Sequence, residues 1–238
     1  MTVLVTVDLE EGDLSDFTST ANATDLSVGA AGAMVGSNGL SVVQDGTATS
    51  TRGESAFTIT TNVIRWRFYF DPNGLSMGGT DDHVICHLHG TGGATTNVGL
   101  LYLDNNGGTY QIRLNGYDDA AGHTDTTYTA ISDTSHYIEC QIERATTDVA
   151  SDGTVTVWID GTETAGTVTT LDNYDLFPTI DEIRIGAAAS LDTTTTGTYY
   201  FDDLIVNDDG SEIGSAVSAL EVNITPATTR VQGVKVVG

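Results

Sequence analysis

Apolar side chains alternate with polar ones along most of this chain, and a period of two predicts β-strands rather than helices. Turn sequences separate the alternating segments, such as Asp71-Pro72-Asn73-Gly74 and Asp160-Gly161. An Asp-Gly pair between two such segments is typical of a β-hairpin. Many short strands joined by turns predict an all-β fold, an antiparallel β-sandwich of jelly-roll type. The strands predicted most clearly are Val63–Phe70, His83–His89, Val98–Leu103, Tyr110–Asn115, Tyr137–Arg144, Thr154–Asp160, Glu182–Gly186 and Gly197–Val206.

The length of 238 residues suits one large sandwich, since such domains often exceed about 200 residues. After Gly214 the pattern changes, and Pro226 divides two further alternating stretches. We therefore predict one jelly-roll domain over residues 1–214 and a C-terminal β extension over residues 215–238 that pairs with a neighbouring subunit. The alternative is a final hairpin on the same domain.

The amino-acid composition argues against several classes of function. The chain has 8 Lys and Arg against 33 Asp and Glu, a formal net charge of −25. Such a field repels phosphate backbones and anionic lipid, so we expect neither a nucleic-acid partner nor membrane insertion. The longest apolar runs fall short of the roughly 20 residues that cross a bilayer.

The first residues, Met1–Val7, have the pattern of a strand and lack the basic start and apolar core of a signal peptide. A protein of this kind reaches the outside by lysis, by a signal-free route or on a virion. The predicted location is a virion surface or the extracellular space. Cys86 and Cys140 alternate with apolar neighbours, which predicts two buried free thiols rather than a disulfide.

Polar residues that can bind a glycan recur on the faces opposite the apolar ones. If three of the predicted strands belong to one sheet, these residues form a basic and aromatic strip that suits an acidic or sulfated glycan. The alternative is a solvated face whose arginines pair with the abundant acids. The glycan-binding candidates are Arg65, Arg67, Tyr69, His87, His89, Gln111 and Arg113.

Four segments in order resemble motifs of concanavalin A-like, laminin-G-like jelly rolls. They are Leu9–Phe17, Gly36–Val42, Val155–Gly161 and Gly197–Val206, followed by Glu212-Ile213-Gly214. Domains of this type occur in bacteriophage and viral structural proteins, and related ones are carbohydrate-binding modules, lectins, glucanases and polysaccharide lyases. The resemblance covers about residues 3 to 214 and implies the same fold.

The resemblance also implies a structural calcium ion. In the related carbohydrate-binding modules a glutamate near the first strand and an aspartate of the last strand hold it, which corresponds to Glu10 and Asp202. Asp203 is an alternative ligand, because the pattern leaves open which face of the last strand is buried. Calcium takes six to eight oxygens, so backbone carbonyls would complete the shell. The alternative is that these carboxylates are solvated or hydrogen-bonded.

The residues of this chain give little support to the enzymatic activities found among the related jelly rolls. The Glu-x-Asp-x-x-Glu run of the glucanases is absent, and His87-Leu88-His89 stands where alginate lyases have Gln-Ile-His, with no lysine in the last strand. No phosphate loop, zinc spacing or serine-nucleophile elbow occurs. We predict a non-catalytic virion or surface structural protein whose partners are copies of itself or other virion proteins, with glycan binding as a further role. The alternatives are an extracellular carbohydrate-binding adhesin and a polysaccharide lyase.

Overall fold

The computed structural model describes residues 2–79 and 81–216. The predicted C-terminal β extension therefore lies outside the described residues from position 217 onward. Within the described part, the strands form two antiparallel sheets that face each other, as predicted. The sheet that contains β6 (Val63–Asp71) and β17 (Thr196–Asn207) is called sheet I here, and the sheet that contains β7 (Asp82–Gly90) and β16 (Ile180–Ala189) is called sheet II.

Sheet I has the strand order β14-β13-β12-β6-β17-β4-β3, with β1 also beside β17 and β15 beside β13. Its strands are β1 Val3–Val7, β3 Leu26–Gly29, β4 Gly39–Asp45, β6 Val63–Asp71, β12 His136–Glu143, β13 Gly153–Ile159, β14 Thr162–Glu163, β15 Val168–Leu171 and β17 Thr196–Asn207. Because β1 pairs with the second half of β17, the two ends of the domain are neighbours in one sheet.

Sheet II has the order β10-β9-β8-β7-β16-β5-β2, with β11 beside β9. Its strands are β2 Ser19–Ala21, β5 Thr51–Ala56, β7 Asp82–Gly90, β8 Asn97–Asn106, β9 Thr109–Tyr117, β10 His123–Asp125, β11 Thr129–Ala130 and β16 Ile180–Ala189. The helical content is limited, in this part of the chain, to short 3₁₀ turns at Ala23–Asp25 and Phe177–Thr179. No helix among the described residues is long and apolar enough to span a membrane.

The core lies between the two sheets and is rich in aromatic rings. Trp66, Phe68 and Phe70 of β6 pack with Phe201 of β17, and the Phe70 and Phe201 ring centroids are 5.2 Å apart. Burial of one such side chain contributes on the order of 1.5–3 kcal/mol. The alternation in β6 therefore stabilises the sandwich through its inward face.

Both cysteines are free and buried in the core, which confirms the sequence prediction. Burial raises the pKa of Cys86 and of Cys140 well above the usual thiol value. These thiols therefore pack as small apolar groups.

Candidate functional site

The residues predicted to share one polar face lie on opposite sides of the sandwich. Arg65, Arg67 and Tyr69 belong to β6 in sheet I, whereas β7 and β9 belong to sheet II. The prediction of a single sheet is therefore wrong. Alternation along a strand shows which residues share a face, but it does not show which strands are neighbours.

On sheet I, the outer face is covered by residues 208–216, which we call the C-terminal strap. The Tyr69 hydroxyl lies 2.9 Å from Ser215 Oγ and accepts a hydrogen bond from the Ala216 N–H, also at 2.9 Å. The protein's own chain thus uses the polar end of Tyr69, so this residue is not an open glycan contact.

Glu139 of β12 anchors the strap and is only 2% exposed. Its carboxylate accepts the Ile213 N–H at 2.8 Å and the Gly214 N–H at 3.1 Å, and it also pairs with the Arg65 guanidinium. A buried carboxylate needs such partners to offset its desolvation. Arg65 therefore stabilises the fold and is not free to bind an anionic ligand.

Arg67 is fully enclosed, at 1% exposure. Its Nη1 donates to both the backbone oxygen and Oδ2 of Asp203, each at 2.8 Å. Asp203 has a left-handed backbone, with φ of 48°, where the pairing of β17 with β6 shifts between Asp202 and Ile205. The predicted metal candidate Asp203 thus has its charge matched by a guanidinium.

The other two predicted calcium ligands meet at one loop. Asp202 and Glu10 approach residues 34–38 and accept backbone N–H groups from them. The donors are Met34 and Val35 to Asp202 Oδ2, at 2.7 Å each, and Ser37 and Asn38 to the Glu10 carboxylate, at 2.9 and 3.1 Å. These two carboxylates, one near the first strand and one in the last strand of the described domain, therefore hold the same loop.

Asp202 also keeps one oxygen that a cation can use. Oδ1 is buried and has no hydrogen-bond partner among the described residues. Burial raises the pKa of Asp202 to about 6, against the opposing effect of the Val35 and Met34 N–H groups. A hard cation would compensate this burial. One free carboxylate oxygen is far from the six to eight oxygens that calcium takes, so the calcium ion stays a prediction.

A second acidic group lies next to Glu10. One carboxylate oxygen from each of Asp8, Glu11 and Asp16 lies within 4.8 Å of the others. Two of these oxygen-bearing side chains also hold the local turn, since Asp16 accepts the Leu9 N–H and Asp8 accepts the Glu10 N–H. Their closeness is therefore explained by the turn itself.

The outer face of sheet II carries a small apolar cluster of its own. Val84, Leu100 and Ala188 form a small buried cluster separate from the main core, with Tyr102 and Tyr117 packed against it. Side chains on an outer face are normally solvated, so burial of three apolar groups there indicates a sheltered surface.

One irregularity in β7 changes the predicted faces. Strict alternation places His83 beside His87 and His89, but the pairing of β7 with β8 shifts between Val84 and Cys86. His83 therefore points into the sandwich, 5.7 Å from the Tyr199 ring. Alternation fails at such a bulge because the extra residue reverses the side-chain parity.

His87 lies near the centre of the outer face of sheet II, opposite Arg184 on β16 and Leu100 on β8. Its side chain is 4% exposed, and both ring nitrogens lack a partner with hydrogen-bond geometry among the described residues. Burial, together with the charges of Arg184 and His89, lowers the pKa of His87 to about 3. The ring is therefore neutral in ordinary buffers.

Charged neighbours of His87 are already paired. Arg184 bonds to Glu182 and lies 3.7 Å from Glu54, which also pairs with Arg52 at 2.8 Å. His89 lies 3.5 Å from an Asp181 carboxylate oxygen. The basic groups on this side of the face are thus matched by carboxylates.

Beside His87 lie four aromatic residues and one arginine that we call the tyrosine patch: Tyr102, Arg113, Tyr117, His123 and Tyr128. The Arg113 guanidinium lies between two rings, 5.1 Å from the Tyr102 centroid and 4.7 Å from the Tyr128 centroid. The Tyr117 and His123 ring centroids are 5.3 Å apart. All three tyrosines are partly exposed.

Carboxylates surround the patch. Arg113 donates to Asp125 Oδ2 at 2.6 Å and lies 3.9 Å from Asp82. Gln111, the other candidate on β9, is opposite Asp104 in the strand pairing. The patch combines exposed rings with acceptor oxygens, which is an arrangement suited to hydroxyl-rich ligands.

Of the residues in this region, Arg113 and Gln111 were among the candidates predicted from the sequence, and the three tyrosines were not. Tyr102 had a usable signal, because it alternates with the buried Leu101 and Leu103. Tyr128 lies between strands, so periodicity does not show that it covers Arg113.

No protein-family model matches the chain, and no curated protein sequence matches it. Solved structures do match over most of its length. The fold is a concanavalin A-like jelly roll. The alginate lyase Aly36B, in a mutant form complexed with alginate trisaccharide, aligns with a TM-score of 0.59 and 12% identity, over 87% of this chain and 98% of that one.

Two further structures show the range of proteins with this jelly roll. The cellulose-induced protein Cip1 aligns with a TM-score of 0.60 and 16% identity, over 89% of this chain and 99% of that one. A carbohydrate esterase from the Shiga toxin-encoding bacteriophage phi24B aligns with a TM-score of 0.55 and 13% identity, over 86% of this chain and 97% of that one. Identities this low establish the shared jelly roll and leave the activity to this chain's own residues.

Proposed function

We propose that this jelly roll is a glycan-binding module and that the tyrosine patch on the outer face of sheet II holds the glycan. The observation that carries the proposal is the placement of two partly exposed tyrosines, Tyr102 and Tyr128, against Arg113, with a third, Tyr117, beside His123. A sugar ring presents a C–H face that packs on an aromatic ring, and its hydroxyls bond to nearby polar atoms. Several structures of the same fold, including the complex of alginate lyase with alginate trisaccharide, support a carbohydrate ligand.

Charge favours a neutral glycan over the acidic or sulfated one suggested by the sequence pattern. An anionic sugar would need a guanidinium that is free to form a charge-assisted bond. On this face Arg52, Arg113 and Arg184 each pair with a carboxylate. The net charge of −25 adds long-range repulsion of anions.

The same face is poorly arranged for polysaccharide lyase chemistry. A general base must reach the substrate proton, directly or through one water. His87 is 4% exposed, and His89 lies beside Asp181. We therefore propose binding at this face without bond cleavage, as part of a virion-surface or extracellular assembly.

The test is binding of a panel of neutral, uronate and sulfated oligosaccharides to the wild type and to Tyr128→Ala. We expect neutral glycans to bind and Tyr128→Ala to weaken binding by about tenfold or more, which equals about 1.4 kcal/mol. Tyr174→Ala is the matched control, because Tyr174 also stacks on an arginine, with Arg144 at 3.6 Å from its ring centroid.

Four results would count against the proposal. Sulfated glycans as the best ligands would contradict the charge argument, and equal losses in both tyrosine variants would contradict the location. Ultraviolet-absorbing unsaturated products from uronate polymers would contradict binding without cleavage. If no glycan binds, and if oligomers disappear on removal of residues 217–238, assembly would remain as the role of the protein.

A further inference from the structure

Three residues outside the tyrosine patch form a chain of hydrogen bonds at the side of the sandwich. Ser132 lies in the loop that leads from β11 in sheet II to β12 in sheet I. Its Oγ is 2.8 Å from His136 Nε2, and His136 Nδ1 is 2.7 Å from Asp160 Oδ2. A serine on Nε2 and a carboxylate on Nδ1 is the order of contacts that activates the nucleophile of serine hydrolases, on many unrelated folds.

The backbone fixes Asp160 firmly in this arrangement. It occupies the hairpin turn after β13 with a left-handed backbone, φ 51°. Its N–H donates to the Tyr137 oxygen at 3.0 Å, and its Oδ1 accepts the Tyr137 N–H at 3.0 Å. The second oxygen then holds His136 Nδ1–H, so Nε2 is left as the acceptor for the Ser132 hydroxyl proton.

A cleft for an acyl group opens beside Ser132. Its volume is about 420 Å³, and Ser132 and Asp133 form part of its wall. The apolar lining comes from Leu75, Met77, Tyr110 and Ile131. A cleft of this size and polarity accepts a small ester better than a polymer chain.

The loop also supplies donors for a developing negative charge. The backbone N–H groups of Asp133, Thr134 and Ser135 form no hydrogen bond within the described chain. Free N–H groups next to a nucleophile can stabilise the oxyanion of acyl transfer. The Asp133 carboxylate accepts the Gly74 N–H at 2.7 Å, and its charge disfavours anionic substrates, so the matching substrate is a neutral ester.

We propose that Ser132, His136 and Asp160 form an ester-hydrolysing site for short neutral acyl esters. The Ser132 oxygen bonds to the acyl carbon while His136 Nε2 takes the hydroxyl proton. The ester C–O bond then breaks, and the alcohol leaves with that proton. Water then attacks the acyl carbon while His136 takes a water proton. The bond between the acyl carbon and the Ser132 oxygen breaks as His136 returns that proton to Ser132, and the carboxylic acid is released. Asp160 is a positioning residue that holds the ring.

The test uses the whole chain with p-nitrophenyl acetate and a fluorophosphonate probe. We expect release of p-nitrophenolate and a single phosphonylated residue, Ser132, identified by mass spectrometry. Ser132→Ala and His136→Ala should each lower the rate by about 100-fold or more and abolish the labelling. Ser151→Ala is the matched control, because Ser151 is an exposed serine in another loop, and it should keep the wild-type rate.

Asp160 is tested separately, since loss of a turn could mimic loss of catalysis. Asp160→Asn keeps a residue that tolerates the left-handed backbone, so the fold and KM should persist while kcat falls by about tenfold or more. Asp160→Glu, which restores a carboxylate, should recover part of kcat. Equal rates in wild type and Ser132→Ala, or no labelling of Ser132, would overturn the proposal; these results are independent of glycan binding.

Discussion

His87 has a polar side chain that is almost completely buried. Its folded-state pKa is about 3, whereas a histidine in an unfolded chain titrates near 6.5. Between those values the unfolded chain binds more protons than the folded one. The stability that depends on a neutral His87 is therefore complete above about pH 6.5 and is lost as the pH falls toward 3.

The variant His87→Asn should remove this dependence. We expect its free energy of unfolding to fall less steeply between pH 6.5 and pH 4 than that of the wild type, measured by urea denaturation at each pH. His123→Asn is the control, because that side chain is 45% exposed. A wild-type slope in His87→Asn would show that the ring is protonated without cost in the folded state.

At the scale of elements, the C-terminal strap decides which polar face remains open. It covers sheet I through Glu139 and Tyr69, so the corresponding face of sheet II is the exposed candidate. The contacts continue through Ala216, two residues beyond the predicted domain boundary at Gly214. The boundary itself stays a prediction.

Glu139→Gln should loosen the strap. The variant leaves Arg65 without its charge partner and weakens the bonds from Ile213 and Gly214, so we expect a loss of about 1–3 kcal/mol in unfolding free energy. Faster hydrogen exchange at the Ile213 and Gly214 amides should accompany it. Glu143→Gln on the same strand, where the carboxylate accepts a bond from Gln141, should change both readouts little; equal effects would contradict the anchoring role.

At the scale of the whole molecule, carboxylates add to the strand pairing that joins the first and last strands of the described domain. Glu10 and Asp202 both bind the loop 34–38, and Asp202 Oδ1 is buried without a partner. If calcium takes this oxygen, it binds only the folded state and must raise stability.

We expect added calcium to raise Tm and a chelator to lower it, by several degrees at saturation. Asp202→Asn should abolish the response. Asp16→Asn should preserve it, which separates this position from the neighbouring Asp8, Glu11 and Asp16 group. A Tm that is insensitive to calcium and chelator would show that calcium does not stabilise the folded domain.

The alternation of polar and apolar residues does not predict every strand. The strand β5 was missed because its inward residues are Thr51, Gly53 and Ser55, which do not look apolar. A Cβ at Gly53 would lie 2.4 Å from the Phe17 ring. The ring fills the space that β5 leaves, so the apolar signal of this strand is carried by a residue far from it in sequence.

The amino-acid sequence by itself determined the all-β sandwich, its most regular strands and the free thiols. These follow from period-two alternation and turn residues, which act over a few neighbours. Tertiary structure alone decided that Arg65 and Arg67 are internal partners, that Tyr128 covers Arg113, and that Asp160 reaches His136. Each of these depends on which strands pair and where a bulge reverses a face, and strand pairing is a long-range choice that no local pattern records.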